Sequence, residues 1–280
     1  SSNITIYNGN LFSGNTFNIS SSTVTLTNNS DTEELEGQLL SHGNLLQSSS
    51  TINSTATCAS NVCTSSCDNY ASGSCPPDSG DLPMVDFDSA AQNSFKSRAQ
   101  VAQNLNQCGI LCDGSLCSTK CVLTANEFSG LFSGKNNVVI NNEITFVTGN
   151  INVSSKNLTV NGILISANDI AISSSILTVN RPGEQSPSGL MAEKRINISS
   201  TTLNLTGIIY SSDQMNMSGA SGVIAGGILA RKVNYSSLPS LTINLDNDVI
   251  LYGLGYVING QAINPVYSPV ITVDHWEESY

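Results

Sequence analysis

Eight cysteines and two histidines are the residues of this chain best equipped for chemistry, and their spacing decides which chemistry. The cysteines fall into two quartets: Cys58, Cys63, Cys67 and Cys75, then Cys108, Cys112, Cys117 and Cys121. A zinc site calls for paired C-x-x-C spacing or histidines close by. Neither quartet has paired spacing, and His42 and His275 lie far from both. An even count without ligand spacing reads as four disulfides, their pairing open, and places the protein outside a reducing cytosol.

Carboxylates come next. Glycoside hydrolysis needs two acids roughly 5–10 Å apart. Here the acids sit mostly in inserts and ends: Asp31, Glu33, Glu34 and Glu36; Asp78 and Asp81; Asp246 and Asp248; Glu277 and Glu278. Glu143, Asp169, Glu193 and Asp213 lie centrally but share no common step, so solvated loops are expected rather than a catalytic pair. With two histidines and no G-x-S-x-G, no nucleophilic triad can be assembled either. The Gly219–Gly227 stretch GASGVIAGG lacks the phosphate-loop pattern and reads as tight corners. The expectation is a protein that is not an enzyme and needs no cofactor. A structural Ca²⁺ is the alternative, for which Asp246 and Asp248, like the acidic run 31–36, offer oxygen ligands without the spacing of a defined loop.

What would have to position such residues is legible in the composition. The chain has 280 residues, 39% hydrophobic but only 11% charged, against roughly 25% charged in an ordinary soluble domain. Ser, Thr, Asn and Gly fill the gap, which suits stacked strands better than Glu/Lys-faced helices. A net charge of −11 with no basic cluster argues against nucleic acid and against docking on anionic lipid. No run of about 20 apolar residues is present, so no direct membrane insertion by this chain is expected. No signal-peptide pattern opens at Ser1, so the sequence is read as a mature or trimmed form.

From Asn136 onward one pattern recurs: aliphatic, small or polar, aliphatic or aromatic, Ser. It starts at Ile151, Ile170, Ile196, Met215 and Val233, with steps of 19, 26, 19 and 18 residues. The long step contains the Pro/Gly-rich loop Arg181–Ser188. A second series (Leu158, Leu177, Leu203, then Leu241) and a third (Ile144, Ile163, Gly189, Ile208) keep the same phase. A coil of about 19 residues holding three short strands is one turn of a parallel β-helix, in which stacking supplies the core. Each strand is expected to alternate inward aliphatic with outward polar residues. Gly149, Asn161, Gly162 and Gly207 are the expected positive-φ corners.

The N-terminal block follows the same rule. Ser20–Val24 is echoed by Ser48–Ile52, one coil plus the acidic insert NNSDTEELE. The tetrapeptide LFSG occurs at 11–14 and 131–134, and reads as punctuation where the chain enters coiling. Between the two, Phe87, Ala91, Phe95, Val101 and Leu105 approximate helical spacing, predicting one amphipathic helix over 86–107 with Asp86 or Asp88 as N-cap. It should lie along the β-helix or cap an open end. The fold expectation is therefore mainly β: a parallel, right-handed β-helix with coils of about 19 residues, one amphipathic helix and a disulfide-rich insertion. The division is 1–57 (N-terminal rungs), 58–130 (Cys-rich insertion) and 131–280 (main β-helix and C-terminal cap). Tyr252, Tyr256, Tyr267, Trp276 and Tyr280 make the C-terminus aromatic, as a hydrophobic cap or a partner-binding surface. About ten N-x-S/T sequons, among them Asn18, Asn197, Asn216 and Asn234, are close to what this composition gives by chance.

LPMVDFDSAAQNSFKSRA, ITFVTGNINVSSKNLTVNGILISANDIAIS, GLMAEKRINISSTTLNLTGIIYSSDQMNMSGASGVIAGGILARKVNYS and the terminal HWEES together resemble the β-helical region of PilX-like proteins associated with bacterial type IV pili, over roughly 80–280. The resemblance implies an extracellular, pilus- or envelope-associated structural or adhesive component. Its partners would be itself, other pilus or envelope proteins, or glycans. The rival readings are a carbohydrate-active β-helix enzyme and a passive glycan- or partner-binding module.

Overall fold

The computed structural model describes residues 2–7, 11–13, 16–20, 22–27, 38–41, 43–54, 56–63, 85–92, 94–246, 249, 250 and 252. The 19-residue step is one coil of a three-faced parallel β-helix. Ile151, Ile170, Ile196, Met215 and Val233 are successive register partners on one face. Leu158, Leu177 and Leu203 stack on another, followed by Gly222 and Leu241. Ile144, Ile163, Gly189 and Ile208 stack on the remaining one. We number the faces by chain order within a coil: the first holds Asn157–Asn161, the second Ile163–Ser166, the third Ile170–Ser173. The loop 181–188 lies between first- and second-face strands Ile176–Asn180 and Gly189–Ala192, which is how the 26-residue step keeps phase.

Serine builds the corner from third face to first. Ser49, Ser155, Ser174, Ser200 and Ser237 have φ between 48° and 56°, and Gly219 takes the equivalent place at 60°. A left-handed conformation costs a residue bearing Cβ about 1–2 kcal/mol. The next side chain helps offset this: the hydroxyls of Ser50, Ser175 and Thr201 each donate to the carbonyl two residues back, at 2.8 Å. The expected glycine corners divide. Gly162 and Gly207 have φ of 139° and 159°, and a Cβ on either would overlap a backbone carbonyl of the neighbouring coil, Asn142 or Ser188. Gly149 and Asn161 adopt no positive φ.

On the first and third faces the expected alternation holds, with inner residues such as Leu158, Val160, Ile170 and Ile172 buried in one continuous core. The second face departs from it. Leu164, Leu190 and Ile209 point to that inner core, while Ile144, Phe146, Ile163, Ile165, Met191, Ile208 and Tyr210 form a second core with Phe87, Phe95 and Ala99. This sheet is thus apolar on both sides, the pattern of a doubly covered parallel sheet.

Its cover is the helix α1, Phe95–Asn104, which packs against Ile144–Val147. Prediction placed the helix over 86–107 with an Asp cap; the N-cap is Ser94, whose hydroxyl accepts from Ser97 N. Asp86 instead accepts from Ser89 N at 3.0 Å, closing a turn that leads Phe87 into the second core. Val101 and Leu105 are exposed, so the buried stripe is Phe95 and Ala99. Gln103 ties the helix down by accepting from Cys121 N and Val122 N at 3.0 and 3.1 Å.

The end where coiling starts at Asn137 is closed by elements outside the repeat. Ile110–Cys112 pairs antiparallel with Asn137–Ile140 and with Ser115–Ser118. The link is Asp113-Gly114, both at positive φ (47° and 84°), the chemistry of a two-residue hairpin. Disulfides join Cys108 to Cys121 and Cys112 to Cys117. A short helix α2, Ala125–Gly130, opens with a Thr124/Glu127 capping box and carries Phe128, Leu131 and Phe132 into the inner core. The second LFSG therefore lies in the turn after α2, whereas the first includes the strand Leu11–Ser13; the two occupy unlike places.

The N-terminal coils stack beyond the last C-terminal one. Ser2–Tyr7 lies in parallel register between Ser240–Leu245 and Ser22–Thr27. Phe17–Ser20 pairs with the 233–236 end of the long strand Ser221–Ser236, and the 28-residue echo pairs Phe17 with Leu45 and Val24 with Ile52. The stack thus begins at 137, reaches 245, and resumes with residue 2. At this seam Phe17 meets Tyr235 edge-on, ring centroids 6.1 Å apart. Leu11–Ser13, Gln38–Ser41 and Ala56–Ala59 form a separate sheet.

Two stability measurements follow. Gly207→Ala should lower the unfolding free energy read from urea denaturation by more than about 1 kcal/mol, since an added Cβ would overlap the Ser188 carbonyl. Removing the Cys108–Cys121 bridge, which closes 13 residues, should destabilise by about 3 kcal/mol, and removing Cys112–Cys117, which closes 5, by less.

Candidate interaction surfaces

The first face presents its outward side to solvent over the whole stack. Its central column is Val139, Thr159, Thr178, Asn204, Val223, Thr242, Thr5, Thr25 and Asn53, each the register partner of the next. Flanking columns carry Asn157, Ile176, Thr202 and Ser221 on one side and Asn161, Asn180, Thr206 and Ala225 on the other. No Asp, Glu, Lys or Arg projects from this face among the described strands. At about 4.8 Å between strands and about 6.7 Å between alternate residues, it measures roughly 40 by 15 Å. Ile176 and Val223 stand exposed on it, at 50% and 41%.

Amide ladders edge the faces. Asn180 donates to Asn161, and Asn161 to Asn141, at 2.9 and 2.6 Å. On the third face Asn234 donates to Asn216 and Asn216 to Asn197, at 2.7 and 2.6 Å. The sequon asparagines Asn197, Asn216 and Asn234 are therefore held in a ladder between coils.

Charge gathers where the second face turns into the third. Asp169 and Arg195 form an ion pair at 2.8 Å, with Arg195 N also donating to the carboxylate. The Arg195 side chain, above all, holds the Asp169 carboxyl below its ordinary range. Asp213, through its charge, makes a smaller contribution to raising Arg195. Asp213 N donates to the Lys194 carbonyl at 3.1 Å, so the stack brings Asp169 and Asp213, which looked out of phase, to the same corner. Glu143 and Glu193 are exposed.

At the capped end a cleft of about 300 Å³ is lined by Cys112, Cys117, Lys120, Leu123, Glu127 and Lys135. Lys120 pairs with Glu127. That hydrogen bond, followed by those from Thr124, brings the Glu127 carboxyl from 4.5 to about 2.

The remaining predicted residues disperse. Cys58 and Cys63 are register partners in an antiparallel pair, while Cys67 and Cys75 lie outside the described residues. Asp246 accepts from Val249 N at 3.0 Å, capping a helical turn; Asp248 lies outside. Tyr252 stacks under the Arg181 guanidinium, 5.1 Å from the ring centroid, whereas Tyr256, Tyr267, Trp276 and Tyr280 lie outside. Among the described residues no group of three or more His, Cys, Asp or Glu could hold a metal ion. No helix among them is long and apolar enough to cross a membrane. The disulfides indicate an oxidising environment. The chain matches no family model, no curated protein and no solved structure.

Sequence reasoning missed the bare first face because it ranked residues able to react, and the signal here is which types never occur at outward positions.

A carboxyl lowered by folding stabilises above its unfolded value, and that contribution is lost as pH falls toward the folded value. NMR titration of Glu127 should give a midpoint near 2, rising toward 4.5 in Lys120→Ala. Glu127→Gln should remove the corresponding acid dependence of stability between those pH values.

Proposed function

We propose that this chain is an extracellular structural or adhesive surface protein, a type IV pilus-associated or filament-forming component that performs no catalysis. The observation that carries the reading is the uncharged first face, running across every coil. Burying a charge in a contact costs several kcal/mol unless it is paired, whereas hydroxyls and amides exchange water for a partner's groups at nearly even free energy. Such a face can meet a flat partner, or another copy, along its whole length. The β-helix supplies the rigidity, since every coil is hydrogen-bonded above and below. The PilX-like resemblance and the oxidising compartment support the same assignment. The Asp169–Arg195 ion pair supports the non-catalytic side of it: this carboxylate is engaged by a cation rather than set across a substrate cleft.

Electron microscopy of the native protein tests this. Filaments, or particles bound along pili or cell envelopes, are expected. Thr178→Lys with Thr242→Lys should cut that association about tenfold while leaving the melting temperature within 1–2 °C, because both positions are outward and surface changes of this kind shift stability little. Dispersed native monomers at high concentration, without surface association, would sink the reading.

A further inference from the structure

We propose that the N-terminal coils, residues 2–63, exchange between two copies of this chain across the seam. Each copy's Ser2–Tyr7 and Phe17–Ser20 would pair with the partner copy's Ser240–Leu245 and 233–236. The inference rests on the scaffold reading and names how copies join.

Four observations carry it. First, the seam is where the stack continues without the chain: strands Ser240–Leu245 and Ser2–Tyr7 lie side by side, although their register partners Ile4 and Leu241 are 237 residues apart in sequence. Second, the pairing there is the same in-register parallel geometry used between all other coils, Ile4 on Leu241, Ile6 on Ile243 and Phe17 on Val233. An edge offering that register offers it equally to a second copy. Third, polar atoms at the seam go unsatisfied. Asn234 Oδ1 and Tyr235 OH, on the strand that Phe17–Ser20 pairs with, and Thr27 Oγ1, one strand beyond Ser2–Tyr7, are buried without a hydrogen-bond partner among the described residues, as are Arg181 Nη2 and Ser188 Oγ on the 181–188 loop. The second-face ladder also stops here, since Leu11–Ser13 belongs to the separate sheet and does not pair with 227–230. A boundary with fewer ladder bonds and orphaned polar atoms is where a cooperative unit detaches. Fourth, the connection permits it. Segment 64–84 leads from the N-terminal coils to Val85, which packs beside the second core. It reaches about 70 Å at full extension, against a few strand spacings of about 4.8 Å within one copy.

Thr5 and Thr242 are register partners on the outward side, at a separation a disulfide can bridge. An isotopically labelled T242C chain is mixed with an unlabelled T5C chain, incubated, oxidised and mapped by mass spectrometry. A T5C/T242C chain is treated in parallel. A second pair, Ser20→Cys and Ser236→Cys, which are register partners on the third face, guards against a variant that fails to fold. Exchange predicts interchain 5–242 or 20–236 links in the mixtures, rising roughly tenfold for a tenfold increase in concentration during incubation. Links found only within the doubly substituted chains, at every concentration and for both pairs, overturn it, as does the absence of any link through both pairs. Native filaments with intrachain links alone would sink exchange and leave the scaffold reading standing. Dispersed native monomers would sink the scaffold reading, and interchain links formed by such a protein would uphold exchange on its own.

Discussion

Parallel pairing of one coil on the next is the constraint on which everything else depends. A coil of this chain buries no hydrophobic face by itself; Leu177 is covered because Leu158 and Leu203 lie below and above it in register. Strand pairing has period two, so a slip of one residue would turn an inner column outward. Fixed register is what allows a low-complexity sequence to specify one structure, and it dictates the corners. A left-handed Ser followed by a hydroxyl that caps the preceding turn recurs at the third-to-first corner, and Gly stands where a Cβ would meet the neighbouring backbone.

The three faces have different fates under that one constraint. The second is covered by α1 and the 85–88 segment and becomes the wall between two cores. The turn from second to third gathers Asp169, Arg195 and Asp213. The first is left bare and uncharged. Coverage, charge and exposure are thus sorted around the axis, and the bare first face recurs at each described coil.

Much of this was legible in the sequence because the period is a local property. All three aliphatic series, the phase-keeping loop 181–188 and the 28-residue N-terminal echo correspond to observed registers. The misses came where tertiary context overrode local pattern. Ile163-Leu-Ile165 and Ile208-Ile-Tyr210 alternate like the other series, yet their repeated residues point outward because a helix covers them. The helix itself was placed too long, since Phe87 and Ala91 match its spacing but lie in the bends before Ser94, and Leu105 at its other end is exposed. Two local signals went unread: Thr124-x-x-Glu127 as a capping box for α2, and Asp113-Gly114 as a hairpin turn. The charged corner could not be read from one dimension, because Asp169 and Asp213 are brought together by coil geometry rather than by spacing.

The wrapped order of the stack has a consequence for synthesis. Residues 2–63 leave the ribosome well before the surface they dock on, 221–245, is made. At about 5–20 residues per second, they wait on the order of 10–50 s for their template. During that interval an apolar column headed by Ile4, Ile6, Phe17 and Ile19 has no lower neighbour. The final act of folding is a closure between segments more than two hundred residues apart, the kind of non-local step that sets a slow rate. A β-helix is often pictured as growing upward from one end; this one grows toward a piece already made, and is finished by a meeting.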